Sequence, residues 1–189
     1  LPGRMGSLRT VSAYYPISRQ RTLRARWLAR LDALSSLPGR TARDLPASGL
    51  LFPLSLVSPA SPEPVVRTVL AIQEADQSIT FAGDMPQGAY ARFMRADLDK
   101  LVEGAKHAAR TSYEGIGRSP DLAICISCVG RKLLLQHHIA EEVQGVQQVL
   151  GMHTVLTGFY SYGEIAPFSA GAPCRLHNQT MTITALAES

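Results

Sequence analysis

The sequence predicts an α+β fold: a largely antiparallel sheet flanked by two main helices, with a further helix near the N-terminal end. Three observations carry this. Leu98, Leu101, Val102, Ala105 and Ala109 recur at helical spacing, and so do Ile139, Val143, Val146 and Leu150. About six short apolar or β-branched runs are separated by turns of hairpin length. The helices do not alternate regularly with those runs, which argues against a doubly wound parallel sheet.

In order along the chain, residues 1–21 show no sustained period. A helix is predicted from Thr22 to about Leu37, because Leu23, Trp27, Leu28, Leu31 and Leu34 fall on one face and Pro38-Gly39 stops it. Leu50 to Val57 is an apolar run around Pro53, which suggests an edge strand or an extended entry segment. Val65 to Ile72 and Ser78 to Ala82, joined by a polar turn, read as a hairpin, and Ala89 to Met94 as a third strand. The first main helix runs from Asp97 to about Glu114 and ends at Gly115, Gly117 and Pro120. Leu122 to Ser127 reads as a buried strand. The second helix covers Ala140 to Leu150, with Glu141 and Glu142 near its start, where the helix dipole favours them. Val155 to Tyr162 and Arg175 to Leu186 supply the closing strands.

At 189 residues the chain suits one domain with an appendage. It divides into an Arg-rich segment, 1–42, and a domain, 43–189. Residues 1–45 hold nine arginines against Asp32 and Asp44, whereas the remainder is net acidic. The overall +4 is therefore no signal for nucleic acid, and the charged face of the first helix reads as solvated. No apolar run reaches the roughly 18 residues that span a bilayer. Three cysteines make no disulfide framework, so a reducing, cytoplasmic compartment is expected. The start, Leu1-Pro2-Gly3-Arg4, has no apolar signal core and no Met, the expectation being a piece of a longer chain.

The chemistry concentrates in the last fifth. Glu164 follows Gly163 among Phe159, Tyr160, Tyr162 and Phe168, and His177, Asn178 and Gln179 follow on a closing strand. Such a mixture suits a small polar ligand: Glu164 would meet an ammonium, with tyrosine rings beside it. Packing and turn formation account for the same aromatics equally simply. A carboxylate buried there needs a partner, with Arg131 or Arg67 as candidates. Arg131, at the end of the strand through Cys128-Val-Gly130, could offer its guanidinium to a ligand carboxylate. His177 reads as a hydrogen-bonded structural histidine, a pocket residue or an axial haem ligand. Cys125-Ile-Ser-Cys128 lacks the second pair a zinc site needs, and Cys125 reads as core. His137-His138 reads as a surface pair. No nucleophile–base pair, G-x-S-x-G elbow, H-E-x-x-H or phosphate loop is present, so an enzyme is not expected and no catalytic residue is assigned.

Several segments together resemble the C-terminal half of the FIST sensory domain. They are Asp44-Leu-Pro-Ala-Ser-Gly-Leu-Leu-Phe-Pro-Leu54, Val66-Arg67, Phe81-Ala-Gly-Asp-Met-Pro-Gln-Gly88, Ser127-Cys-Val-Gly-Arg131, Gly158-Phe-Tyr-Ser-Tyr-Gly-Glu-Ile165 with Pro167-Phe168, and Leu176-His-Asn-Gln-Thr-Met181. They occur in family order over roughly residues 43–187. The resemblance implies a ligand-sensing module of signal transduction, joined to a FIST N-terminal domain and to signalling output domains, with amino acids as the ligand class. It also implies an alternative, since some relatives resemble haem-binding nitric oxide sensors.

The resulting expectation is a non-enzymatic sensory domain whose ligand site draws on Arg131, Tyr160, Tyr162, Glu164, His177 and Asn178. No cofactor or metal is expected, with haem on His177 as the alternative. A protein-interaction scaffold, with homodimerisation as its output, is the third reading.

Overall fold

In a computed structural model the described residues are 4–5, 9–11, 15–16, 23–24, 47–58, 61–73, 78–167 and 172–188. In chain order the strands before the first helix are β1 (Arg4–Met5), β2 (Arg9–Val11), β3 (Tyr15–Pro16), β4 (Leu23–Arg24), β5 (Leu54–Ser58), β6 (Ser61–Arg67), β7 (Val69–Gln73), β8 (Ser78–Phe81) and β9 (Tyr90–Arg95). Helix α1 (Leu98–Ile116), strand β10 (Leu122–Cys128) and helices α2 (Val129–Leu135) and α3 (Ile139–Leu150) follow. Strands β11 (Val155–Ser161), β12 (Glu164–Pro167), β13 (Cys174–His177) and β14 (Met181–Ala187) close the chain. The chain divides into two compact units, Tyr14–Ala96 and Leu1–Ala13 with Asp97–Ser189.

In the unit of residues 14–96, β5 lies between β6 and β9, antiparallel to both. Leu54 and Leu56 alternate inward and pack with Val65 and Ala91, with Phe81, Met85 and Phe93 against them. The strand is central, not at an edge as Pro53 suggested. Pro53 precedes the ladder, so its missing N–H costs nothing, and its carbonyl accepts from Met94 N–H at 2.8 Å. The run Val65–Ile72 is broken at Thr68: β6 pairs with β5, while β7 pairs with β8. The helix expected over Thr22–Leu37 falls outside the described residues except at Leu23–Arg24, which pair as strand with β9.

The other unit carries the two main helices. Its sheet has the order β1-β14-β10-β11, with β2 also on β14. β14 is antiparallel to β10, but β10 and β11 run parallel, so the expected antiparallel character is interrupted here. Parallel neighbours need a crossover, and α2 and α3 supply it. Helix α2 corrects the reading of Arg131 as the end of a strand, because the helix starts at Val129.

α1 starts at Asp97, whose carboxylate accepts from Lys100 N–H, and stops at Gly117, whose φ of 78° suits glycine. Its buried face is built from small residues, among them Gly104, Ala105, Ala108 and Ala109, which lets the helix lie close to its neighbours. The three alanines form the core with Ala123, Val146, Leu150, Met181 and Ile183. The strand expected over Arg175–Leu186 is two strands, separated by Asn178–Thr180, where Gln179 takes a φ of 56°. A left-handed backbone at a non-glycine residue leaves no mark in an apolar pattern.

Candidate functional site

Helix α2 carries Arg131 into the interior, where it is fully buried. Its Nε donates to Glu142 Oε1 at 2.9 Å, and one terminal nitrogen donates to the same oxygen. That nitrogen also donates to the Leu101 carbonyl at 2.7 Å, and the other to the Gln179 carbonyl at 3.5 Å. Glu142, in the first turn of α3, is equally buried. Its Oε2 accepts from Ser127 Oγ at 3.4 Å. Arg131 is thus matched to an internal carboxylate, and its expected role of meeting a ligand carboxylate finds that guanidinium already engaged.

Glu164 lies on β12, 3 % exposed. The hydroxyls of Ser161 and Thr180 donate to its two oxygens at 2.5 and 2.6 Å. These hydroxyls, with the Thr180 backbone, are hydrogen-bonding partners that the sequence did not announce. Arg67, in the other unit, donates to the carbonyls of Asp84 and Val66. Burial raises the Glu164 carboxyl above its usual range, opposed by the Ser161 and Thr180 hydrogen bonds and by the charge of Arg131. His177 stands opposite Glu164 in the β12–β13 ladder, and His177 and Asn178 are both buried. Tyr162 is 90 % exposed.

A cavity of about 400 Å³ opens between α3 and the β10–β11 pair. Ser127, Glu142, Val146 and Met181 form its buried part, and Val143, Thr157 and Phe159 its exposed rim. Gly158 completes the wall. A Cβ there would sit 1.8 Å from the Cys125 carbonyl oxygen, so only glycine fits against β10 at this register. Val143, read from the sequence as inward-facing, is 45 % exposed, and Glu142 takes the inward position. Glu142, Val146 and Leu150, at i, i+4 and i+8, share one helix stripe.

Of the six expected residues, Tyr160 lines this cavity, and Arg131 touches it through Glu142. Glu164, His177, Asn178 and Tyr162 are not among its lining residues. The haem alternative therefore gains no lining residue from His177 here. Glu142 and Ser127 were not among the expected site residues, and Cys125, read as core, also lines the cavity. The signal for Glu142 was a charge on an apolar stripe, which the position near the helix start disguised as a dipole effect.

Lys132 Nζ stands 4.9 Å from the centre of the Tyr160 ring, within cation–π range. The Tyr160 hydroxyl is raised in pKa by burial and by the charge of Glu142, with Arg131 opposing. Cys125, facing the cavity, is pushed up to about 11 by burial and then by Glu142. Cys128 is raised by burial and by Glu164. Both thiols stay protonated near neutral pH, which agrees with a packing role. His138 Nδ1 lies 2.6 Å from Glu141 Oε1, in hydrogen-bond contact near the surface. Among the described residues, no group of three His, Cys, Asp or Glu converges to hold a metal ion, and no helix is long and apolar enough to cross a membrane.

Two antiparallel-rich units, one of them with a parallel strand crossover walling a cavity over a buried ion pair, define a mixed α/β module. The family model of the FIST C domain matches residues 25–167, and the chain belongs to that family of sensory domains. Comparison with curated proteins and with solved structures returned no match.

Proposed function

We propose that this chain is the sensing part of a signal-transduction protein and that the cavity beside α3 holds a small polar ligand, an amino acid being the class to test first. The observation that carries this is the cavity itself. Its volume lies in the range of small-molecule sites, its rim is apolar, and a carboxylate and a hydroxyl stand in its buried part. Membership of a sensory family supplies the context. The reading needs no catalysis. Tyr160 and Phe159 offer ring surface to the apolar part of a ligand, while Glu142 and Ser127 offer polar atoms to its head. Glu164, with its two hydroxyl donors, serves to hold the β12–β13 and β14 segments in place. A FIST N-terminal half and an output domain are the partners proposed, in a cytoplasmic setting that suits three free cysteines.

The test is a titration of each of the common amino acids, followed by calorimetry and by amide NMR. The expected result is heat from at least one, with shifts at Ser127, Glu142 and Tyr160. If no compound moves those signals, whether the chain is alone or joined to the preceding half-domain, the cavity is not a ligand site.

A further inference from the structure

The polar lining of the cavity is one-sided. Its ionisable side chains are Glu142, Tyr160 and Cys125, and among the lining residues none is Lys, Arg or His. Arg131 stands behind Glu142 and spends two donors on Oε1, so that oxygen is saturated on the protein side. Among the described residues Oε2 receives only the Ser127 hydroxyl, at 3.4 Å, which is long for an O–H···O bond. A carboxylate oxygen accepts two donors readily, so Oε2 keeps capacity for one more. Within the cavity the charge of Glu142 reaches Cys125 and Tyr160 after burial, while Arg131 opposes it at Tyr160 and Lys132 stands over the outer face of that ring.

An incoming carboxylate would meet the Glu142 charge without a cation in the lining. An incoming ammonium would find an acceptor at Oε2, a phenol at Tyr160 and apolar walls at Val146, Leu156 and Met181. We propose that the cavity recognises its ligand by an amine head and an apolar body and leaves a ligand carboxylate unmatched, so that a primary amine binds more tightly than the amino acid bearing the same side chain. This rests on the reading of the cavity as the ligand site and narrows it.

Two matched pairs test it: 3-methylbutylamine against leucine, and 2-phenylethylamine against phenylalanine, with 3-methylbutanoate as the anionic control. Affinities come from calorimetry, and the site from amide shifts at Ser127, Glu142 and Tyr160. At least one amine is expected to bind about tenfold or more tightly than its amino acid, as one charge-assisted hydrogen bond without an opposing repulsion would give. The anion is expected not to bind. Thr157→Trp, at an exposed strand position on the rim, should block the amine without disturbing the fold. Glu142→Gln, if folded by circular dichroism, should weaken it about tenfold. Amino acids binding in the cavity as tightly as the amines, or an amine indifferent to Thr157→Trp, overturns the proposal and leaves the ligand site standing. Silence from all five compounds at the cavity signals overturns this proposal, whereas the wider amino-acid titration decides the site itself.

Discussion

Replacing Glu142 by Ala leaves Arg131 as a buried guanidinium without its carboxylate. Four donor contacts hold Arg131 in place: two to Glu142 Oε1 and one each to the Leu101 and Gln179 carbonyls. The variant removes the two charged ones and keeps the two neutral ones, around a side chain that is 0 % exposed in the parent. Breaking such a pair from one side costs about 3–5 kcal/mol, because the survivor keeps its desolvation penalty. A domain of this size shifts its midpoint by about 2–4 °C per kcal/mol, so the melting temperature should fall by roughly 6–20 °C. Urea melts give the free energy and calorimetry the midpoint. The companion is Arg131→Met with Glu142→Leu, which removes both charges and should lose less than Glu142→Ala alone, since buried pairs replaced by apolar side chains are often neutral. A single-variant loss below about 1 kcal/mol, as for an exposed pair, would refute the argument that this ion pair is desolvated.

Three further outcomes are expected. Gly158→Ala forces a methyl group onto the Cys125 carbonyl and should cost about 1–3 kcal/mol or more, read by urea melts, with loss of the β10–β11 amide protection in hydrogen exchange. Because burial raises the Glu164 carboxyl in the folded state, its contribution is full below the unfolded value near 4.5 and is lost as pH rises through the folded one. Glu164→Gln should therefore gain stability relative to the parent as pH climbs from 4 upward, and a difference that is flat or falls with pH contradicts the shift. With Cys125 pushed up to about 11 and Cys174 exposed, iodoacetamide at pH 8 should label Cys174 first, as mapped by peptide mass. Faster labelling of Cys125 would mean an activated thiol.

The helices were legible because their period survives any neighbour. Leu101, Ala105 and Ala109 announced the face that α1 buries, and Gly117 its end. The breaks were not legible. Thr68 divides two strands without Gly or Pro, and Gln179 turns the chain in a left-handed conformation that favours glycine. Helix α2 is a seven-residue piece held by Arg131 rather than by an apolar stripe, so periodicity passed over it. The site was half visible for a related reason. Tyr160 was found through its aromatic setting, whereas the carboxylate in the cavity belongs to α3 and meets Arg131 and Ser127 only after the crossover has closed. Sequence proximity favoured Glu164, whose surroundings turn out to be hydroxyl donors from its own neighbourhood.

Arg131 fastens four separate stretches of chain with one planar group. Its own helix, the start of α3, the Leu101 carbonyl of α1 and the Gln179 carbonyl before β14 all converge on one guanidinium. Loss of the Arg131 side chain would therefore take an anchor from all of these stretches at once. The wall of the cavity and the floor of the helix pair thus belong to one mechanical block, and whatever draws on Glu142 from the cavity side is pulling on the same bolt that secures α1.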